Sequence, residues 1–248
     1  MSYSSFASVY DRLMQDASYS ERADYIISLF ARYGKVPSLL LDAACGTGSI
    51  SVLMAQKGIE TIGVDLSPEM LSVAGDKAAA AGADVLFLCQ NLKDLDLYGT
   101  VDGCICTLDS INHITDIRTL RSAFKKIALF SEPGSLFIFD VNTPYKHRRI
   151  LGNNTFVIEE DDLYCVWSNC FSPKGMVTDI SLDFFVCDGD LYRRTSEEFR
   201  ERAYSPSQLR KLLAEAGFEV LDILDDMSYN APSSKSQRNV YVCRRMEW

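Results

Sequence analysis

Apolar residues in this chain gather in short continuous runs, separated by stretches in which they recur every three or four positions. Leu39-Leu40-Leu41, Ile62-Gly63-Val64 and Leu86-Phe87-Leu88 are runs of the first kind, and a strand apolar on both faces is one buried on both faces. The pattern predicts strands near 38–42, 60–64, 84–89, 101–106 and 134–140, with helices near 49–57, 68–81 and 116–130. Ser67-Pro68 supplies an N-cap and a first helical position, while Gly58 and Gly82 follow two of the helices. Strand alternating with helix implies a parallel sheet covered on both faces. Upstream, Phe6, Val9, Tyr10, Leu13 and Met14 recur at helical spacing, as do Tyr25, Ile26, Leu29 and Phe30. They predict two further helices, the second opened by a capping box at Ser18-x-x-Glu21.

After Asp140 the period changes. Met176, Thr178, Ile180, Leu182 and Phe184 alternate with Val177, Asp179, Ser181, Asp183 and Phe185, a strand repeat with one mostly apolar face. Strands at 155–160, 163–171 and 191–202 are its expected partners, with turns at 172–175 and 188–190 and no helix between 142 and 203. This predicts an antiparallel sheet inserted into the α/β domain. Arg194, Glu198, Arg200 and Arg202 share one side of the last strand, so that side is either solvated or lines a pocket. Ser205-Pro206-Ser207-Gln208 restarts the main pattern with a helix to Gly217, followed by strands near 218–225 and 239–244.

The chemistry lies at two strand ends. Asp42-Ala43-Ala44-Cys45-Gly46-Thr47-Gly48 turns an apolar strand into a helix through small residues, which lets the backbone approach a ligand beside unpaired helix N–H groups. A dinucleotide fingerprint would want a third glycine where Ser51 stands. Asp65 ends the second strand, 23 residues after Asp42, where a Rossmann-type site places the acid that binds a ribose diol.

Asp42-x-x-Cys45-Gly46-Thr47-Gly48 and Val64-Asp65-Leu66-Ser67-Pro68-Glu69-Met70-Leu71 resemble motifs I and II of class I S-adenosylmethionine-dependent methyltransferases. The likeness runs on through Leu108-Asp109-Ser110-Ile111-Asn112, Trp167-x-Asn169, Arg202-Ala203-Tyr204 and Leu212-Leu213-x-Glu215-Ala216-Gly217-Phe218. It points to a bacterial small-molecule subgroup with an antiparallel insertion after the fifth strand. The resemblance implies an α/β fold, a Rossmann-like seven-stranded sheet of order 3-2-1-4-5-7-6 with the seventh strand antiparallel. Residues 1–141 and 204–248 would form the cofactor domain, with an N-terminal helical lid, and 142–203 an inserted cap on the substrate side. S-adenosylmethionine would be the cofactor and S-adenosylhomocysteine its product. Asp42 would help hold the cofactor's amino group, Gly46 and Gly48 would line its methionine end, Asp65 would bind the ribose and Asn91 the adenine amino group, with Ala43, Ala44, Leu66, Met70 and Leu92 as further cofactor contacts. Leu108, Asp109 and Ser110 would lie beside the sulfonium and the substrate. Phe199 stands where many relatives carry a histidine, which removes that acid–base group from the insertion.

His113 is a candidate base or orienting group, and Tyr10 a candidate lid over the cofactor, with Tyr3 and Phe6 beside it. His147 with Arg148 and Arg149 reads as surface, or as a contact for an anionic substrate. Composition narrows the partners. A net charge of −9 argues against a nucleic-acid partner. The chain has no apolar run of membrane length and no signal-peptide pattern at its start, which leads to the expectation of a cytoplasmic protein with no membrane partner. Eight cysteines in apolar runs without C-x2-C pairs, and two histidines, give no zinc spacing, so no metal is expected. Cys106 reads as core and not as a nucleophile, and there is no G-x-S-x-G elbow for a hydrolase. The acceptor is expected to be a small molecule methylated at N or O. The alternatives are a cofactor-binding module without catalysis, an NAD-dependent oxidoreductase, and a methyltransferase acting on RNA or protein. The oligomeric state is not legible.

Overall fold

A computed structural model describes residue 11 and residues 18–247. The expected first helix, with Tyr3, Phe6 and Tyr10, lies outside the described residues.

Helix α1 (Tyr19–Tyr33) precedes a regular alternation: β1 (Leu39–Ala43), α2 (Ser49–Gln56), β2 (Glu60–Asp65), α3 (Pro68–Ala81), β3 (Val85–Cys89), β4 (Val101–Cys106), α4 (Ile117–Phe130) and β5 (Ser131–Asn142). After the insertion come α5 (Pro206–Ala216), β10 (Phe218–Asp225) and β11 (Arg238–Arg245). The seven strands form one sheet of order β10-β11-β5-β4-β1-β2-β3. β1, β2, β3, β4 and β5 pair in parallel, and β11 is antiparallel to both β5 and β10. This is the expected topology.

Alternation along the strands sorts the core into two layers. Leu40, Ile105, Ile138, Val240 and Val242 face α1 and α2, whereas Leu41, Cys104, Cys106, Phe137, Phe139 and Tyr241 face α4 and α5. The helix ends follow local chemistry. Ser67 accepts from Met70 N with Pro68 behind it, and Ser205 and Gln208 form a reciprocal capping box. Ser18 does not cap α1. It sits at φ 46, outside the extended geometry an N-cap hydroxyl needs, and its hydroxyl makes no hydrogen bond to the first turn.

The insertion is a second sheet of four antiparallel strands, β6 (Thr155–Glu160), β7 (Leu163–Ser172), β8 (Val177–Asp188) and β9 (Leu191–Arg202), in sequential order. Against expectation, a widened helical turn, Lys146–Leu151, leads into it. The inner face, carrying Leu163, Cys165, Ile180, Leu182 and Phe184, packs on Met70 in the first turn of α3. The charged row of β9 is on the other side. Arg194 and Arg200 are exposed and pair with Asp183 and Asp179, at 2.7 and 2.5 Å, while Arg202 donates to the Thr115 carbonyl. The row is therefore a solvated face and not a pocket wall. The opposite side, with Phe199 and the buried Glu197 and Glu201, turns inward.

Candidate active site

The turn after β1 runs through three left-handed residues, Ala44 (φ 61), Gly46 (φ 55) and Gly48 (φ 71). Asp65 shapes it: one carboxylate oxygen accepts Gly46 N and the other Ser67 N, each at 2.9 Å. A Cβ on Gly48 would lie 2.8 Å from the Ala74 methyl, so this glycine permits the close approach of α2 to α3. A Cβ on Gly46 would meet nothing within 4 Å. It would project into open space above the loop, a space a ligand could share. Beneath the loop Asp42 is 1% exposed and accepts from Ser51 at 2.6 Å. Its other oxygen has no partner among the described residues. Burial pushes this carboxyl up to about 7, against the opposing hydrogen bond from Ser51.

A second strained turn faces the first. Leu108 (φ 56) and Asp109 (φ 54) follow β4 in the left-handed region, a conformation costing about 1–3 kcal/mol per residue unless its surroundings impose it. Asp140, at the end of β5, imposes it by accepting both amides at 2.8 and 2.7 Å. Arg238 braces the arrangement from β11, 2.5 Å from Asp140 and 2.7 Å from Asp109. Arg22 closes the network on Asp226 at 2.9 Å.

Between the turns lies a cavity of about 440 Å³, within the range of small-ligand sites (about 300–1,000 Å³). Ala44, Gly46, Asp65, Leu66, Met70, Asn91, Leu92, Leu108, Ser110 and His113 all line it. Asp42, Ala43, Gly48 and Asp109 do not; they lie behind the lining and shape it. The Asn91 side chain also accepts Lys93 N, so it caps the turn that presents it. Sequence reasoning missed Tyr19 and Ser49, which line the same cavity near the start of α2. Asp11, part of the Tyr10-Asp11-x-Leu13-Met14 stretch of the family likeness but given no role there, accepts Thr47 Oγ1 at 2.7 Å and pairs with Lys77 at 2.6 Å. Burial pushes the Cys106 thiol well above its usual range, which keeps it a core residue.

His113 stands at the end of the cavity nearest the inserted sheet. Its ring stacks on Phe199, centroids 5.1 Å apart, and Nε2 lies 3.7 Å from Glu201 Oε1. The insertion thus does supply an acid to this site, two residues past the position where a histidine is missing. His147 corrects a second expectation. It is fully buried, not surface: Nδ1 is 2.8 Å from Thr178 Oγ1, and Nε2 is 3.7 Å from Glu201 Oε2. Burial lowers this imidazole to about 4. Burial and the Asp109 charge both raise Glu201. Burial also works against the Asp109 carboxylate, but Arg238, Lys146 and His113 together hold it below the ordinary range. Period-2 counting along β9 places Glu201 opposite the charged row. The fold alone brings it to His113.

Residues 40–134 match a family model described as a methyltransferase domain. GWCH70_2453 of Geobacillus sp. (strain WCH70), provisionally classed as a methyltransferase, is 33% identical over 99% of this chain and 100% of its own. The crystal structure of an S-adenosylmethionine-dependent methyltransferase from Clostridium acetobutylicum ATCC 824 superposes with a TM-score of 0.90 at 34% identity, covering 99% of each chain. CalS10, an amino pentose methyltransferase from Micromonospora echinaspora solved with S-adenosylmethionine bound, shares the fold at a TM-score of 0.77 and 20% identity. That match covers 96% of this chain and 97% of CalS10.

Proposed function

From the premise that this chain belongs to the class I S-adenosylmethionine-dependent methyltransferases, we propose that it methylates a nitrogen or oxygen atom of a small molecule held between the Leu108 turn and the inserted sheet. The observation that carries this is the continuity of one cavity, from the Gly46 loop and Asp65 to His113 beside β9. One end has the features of a cofactor cradle, and the other an imidazole with the Glu201 carboxylate behind it.

The residues present fit the cofactor. Asp42, beneath the loop, has a buried oxygen with no partner among the described residues, Gly46 leaves room that a side chain would fill, and each Asp65 oxygen keeps a second lone pair after its backbone bond. Tyr19 and Ser49 border the amino-acid end, Asp65 and Leu66 the ribose, and Asn91 and Leu92 the adenine. S-adenosylmethionine supplies, when bound, a methyl group on a positively charged sulfur, activated for in-line displacement. What remains for the chain is alignment and exclusion of water. Leu108 and Ser110, on a turn fixed by Asp140, bound the transfer region. His113 orients the acceptor, Phe199 holds the imidazole by stacking, and β6–β9 form a cap that keeps solvent from that end. Among the described residues no helix is long and apolar enough to cross a membrane, and the net charge of −9 weighs against a polyanionic acceptor.

Calorimetry with S-adenosylhomocysteine is the first test, and no binding by about millimolar concentration would sink the reading. Labelled-methyl transfer to panels of small amines and hydroxyl compounds, run beside RNA and protein, is the second. Label in RNA or protein alone would replace the small-molecule acceptor. Tight cofactor binding with no transfer in any panel would favour a binding module.

A further inference from the structure

Glu201 is the buried charge that the site as described leaves unmatched. It is 4% exposed, and among the described residues its hydrogen-bond donor is Asn142 Nδ2, at 3.4 Å from Oε2. In the surrounding cluster three basic side chains, Arg22, Lys146 and Arg238, stand against four carboxylates, Asp109, Asp140, Asp226 and Glu201. Arg238 takes Asp109 and Asp140 at 2.7 and 2.5 Å, and Arg22 takes Asp226 at 2.9 Å. Lys146 donates to Asn142 Oδ1 at 2.9 Å. One negative charge is left over, and a buried carboxylate without compensation is costly.

Two imidazole nitrogens bracket that carboxylate without hydrogen-bonding it. His113 Nε2 is 3.7 Å from Oε1, and His147 Nε2 is 3.7 Å from Oε2, both beyond hydrogen-bond reach. Two donors sharing one ion, each about 2.1 Å from it, stand roughly 3.0–3.5 Å apart. One donor atom from each of Asp109, His113 and Glu201 lies within 4.8 Å of the others, so small side-chain rotations close the set around an ion. The independent observation is His147. Its side chain is completely buried, and Nε2 has no hydrogen-bond partner among the described residues. Thr178 engages Nδ1 and leaves Nε2 directed at Glu201, where an outer contact would orient a ligating carboxylate. Arg238 and Asn142, on the Asp109 oxygens, supply the same kind of support.

We infer that Asp109, His113 and Glu201 form a site for a divalent first-row transition-metal ion, with His147 behind Glu201. One imidazole and two carboxylates suit Mn²⁺, Fe²⁺, Co²⁺ or Zn²⁺, whereas Mg²⁺ prefers an all-oxygen, largely hydrated shell. The use of such an ion rests on the methyltransferase reading: it would orient an acceptor bearing two neighbouring oxygens. Polarised by the ion, the hydroxyl loses its proton to water. The resulting oxyanion bonds the methyl carbon while the carbon–sulfur bond breaks, its electron pair staying on the S-adenosylhomocysteine sulfur. The oxyanion and the surplus carboxylate together match the dication. His113 then orients the acceptor through the metal.

The test needs no identified acceptor. Chelator-stripped full-length chain is titrated with Co²⁺, read by visible absorption, and with Mg²⁺ for comparison, with S-adenosylhomocysteine present. One equivalent of Co²⁺ should bind, at least about tenfold more tightly than Mg²⁺. His113→Asn and Glu201→Gln should each weaken it at least about tenfold. Zn²⁺ should shift the ring nitrogens of His113, which NMR can follow because the chain has two histidines. Melting curves establish that each variant is folded, and His113, 41% exposed, is the variant at lower structural risk. Absence of stoichiometric Co²⁺ binding below about millimolar, or equal binding by both folded variants, overturns the site. S-adenosylhomocysteine affinity without metal is read on the same samples. Its loss in the unaltered chain would sink the methyltransferase reading; its presence without Co²⁺ binding sinks only the metal site.

Discussion

Asp65 holds two backbone amides and, on the proposed reading, a ribose diol as well. Asp65→Ala should therefore lower S-adenosylhomocysteine affinity by about 1.5–3 kcal/mol, the range for hydrogen bonds to a charged group. It should also lower the melting temperature, because the Gly46 and Ser67 amides lose their acceptor. Unchanged affinity in calorimetry on the folded variant would put the ribose elsewhere. Asp42 answers to pH. Burial raises its folded value from 3.8 to about 7, so between these pH values the unfolded chain has released a proton that the fold retains. This group's contribution to stability is thus lost as pH rises through that window and is level above it. Asp42→Asn keeps an acceptor for Ser51 and removes the buried charge. Urea unfolding should find the variant more stable at pH 7.5 and its pH slope between 4 and 7 shallower; an unaltered slope would refute this. These acids were legible because each closes an apolar run next to its own glycine or proline signal. Glu201 was not, because its partner His113 is 88 positions away and only strand pairing brings them together.

At the scale of elements, two of the predicted helix starts, Ser18 before α1 and Ser205 before α5, make a controlled pair. Ser205 accepts Gln208 N and Gln208 reaches back to Ser205 N, whereas Ser18 lies at φ 46 with no such bond. Ser205→Ala should cost about 1 kcal/mol in urea unfolding. Ser18→Ala should change stability by under about 0.5 kcal/mol. Equal costs would mean that the Ser18 hydroxyl caps α1 after all. The strings S-x-x-E and S-x-x-Q look alike in sequence; the backbone conformation at the serine separates them, and a four-residue motif does not encode it. Strand β9 repeats the lesson. Its alternation was readable to the residue, but which side faced the cavity depends on β8, whose Asp179 and Asp183 draw Arg200 and Arg194 outward. The opposite row turns inward, and from it Phe199 and Glu201 reach His113 at the edge of the cavity.

Across the whole molecule, the alternation of strand and helix was legible because each crossover carries its own helix pattern and strand signal, while the seven-stranded order followed from the family resemblance of the two motifs. The seat of the insertion was not, since nothing within 142–203 names Met70 as its neighbour. Met70 lines the cavity beside Asp65 and also belongs to the apolar cluster under β7 and β8. If β6–β9 cap the acceptor end, hydrogen exchange should detect it. Amides in 155–202 should gain protection with S-adenosylhomocysteine and gain more when an acceptor joins it. Protection confined to 42–48, 65 and 91 would show that the insertion serves some purpose other than covering the site.

The shared position of Met70 has a kinetic consequence. A ligand that packs against this side chain on the ribose side firms the footing on which the inserted sheet rests, so the acceptor pocket is complete only once that ligand is in place. Turnover should then be ordered, with S-adenosylmethionine arriving first and S-adenosylhomocysteine departing last. Product inhibition by S-adenosylhomocysteine would be competitive towards the methyl donor and noncompetitive towards the acceptor, and a cell's donor-to-product ratio would throttle the enzyme before acceptor supply did.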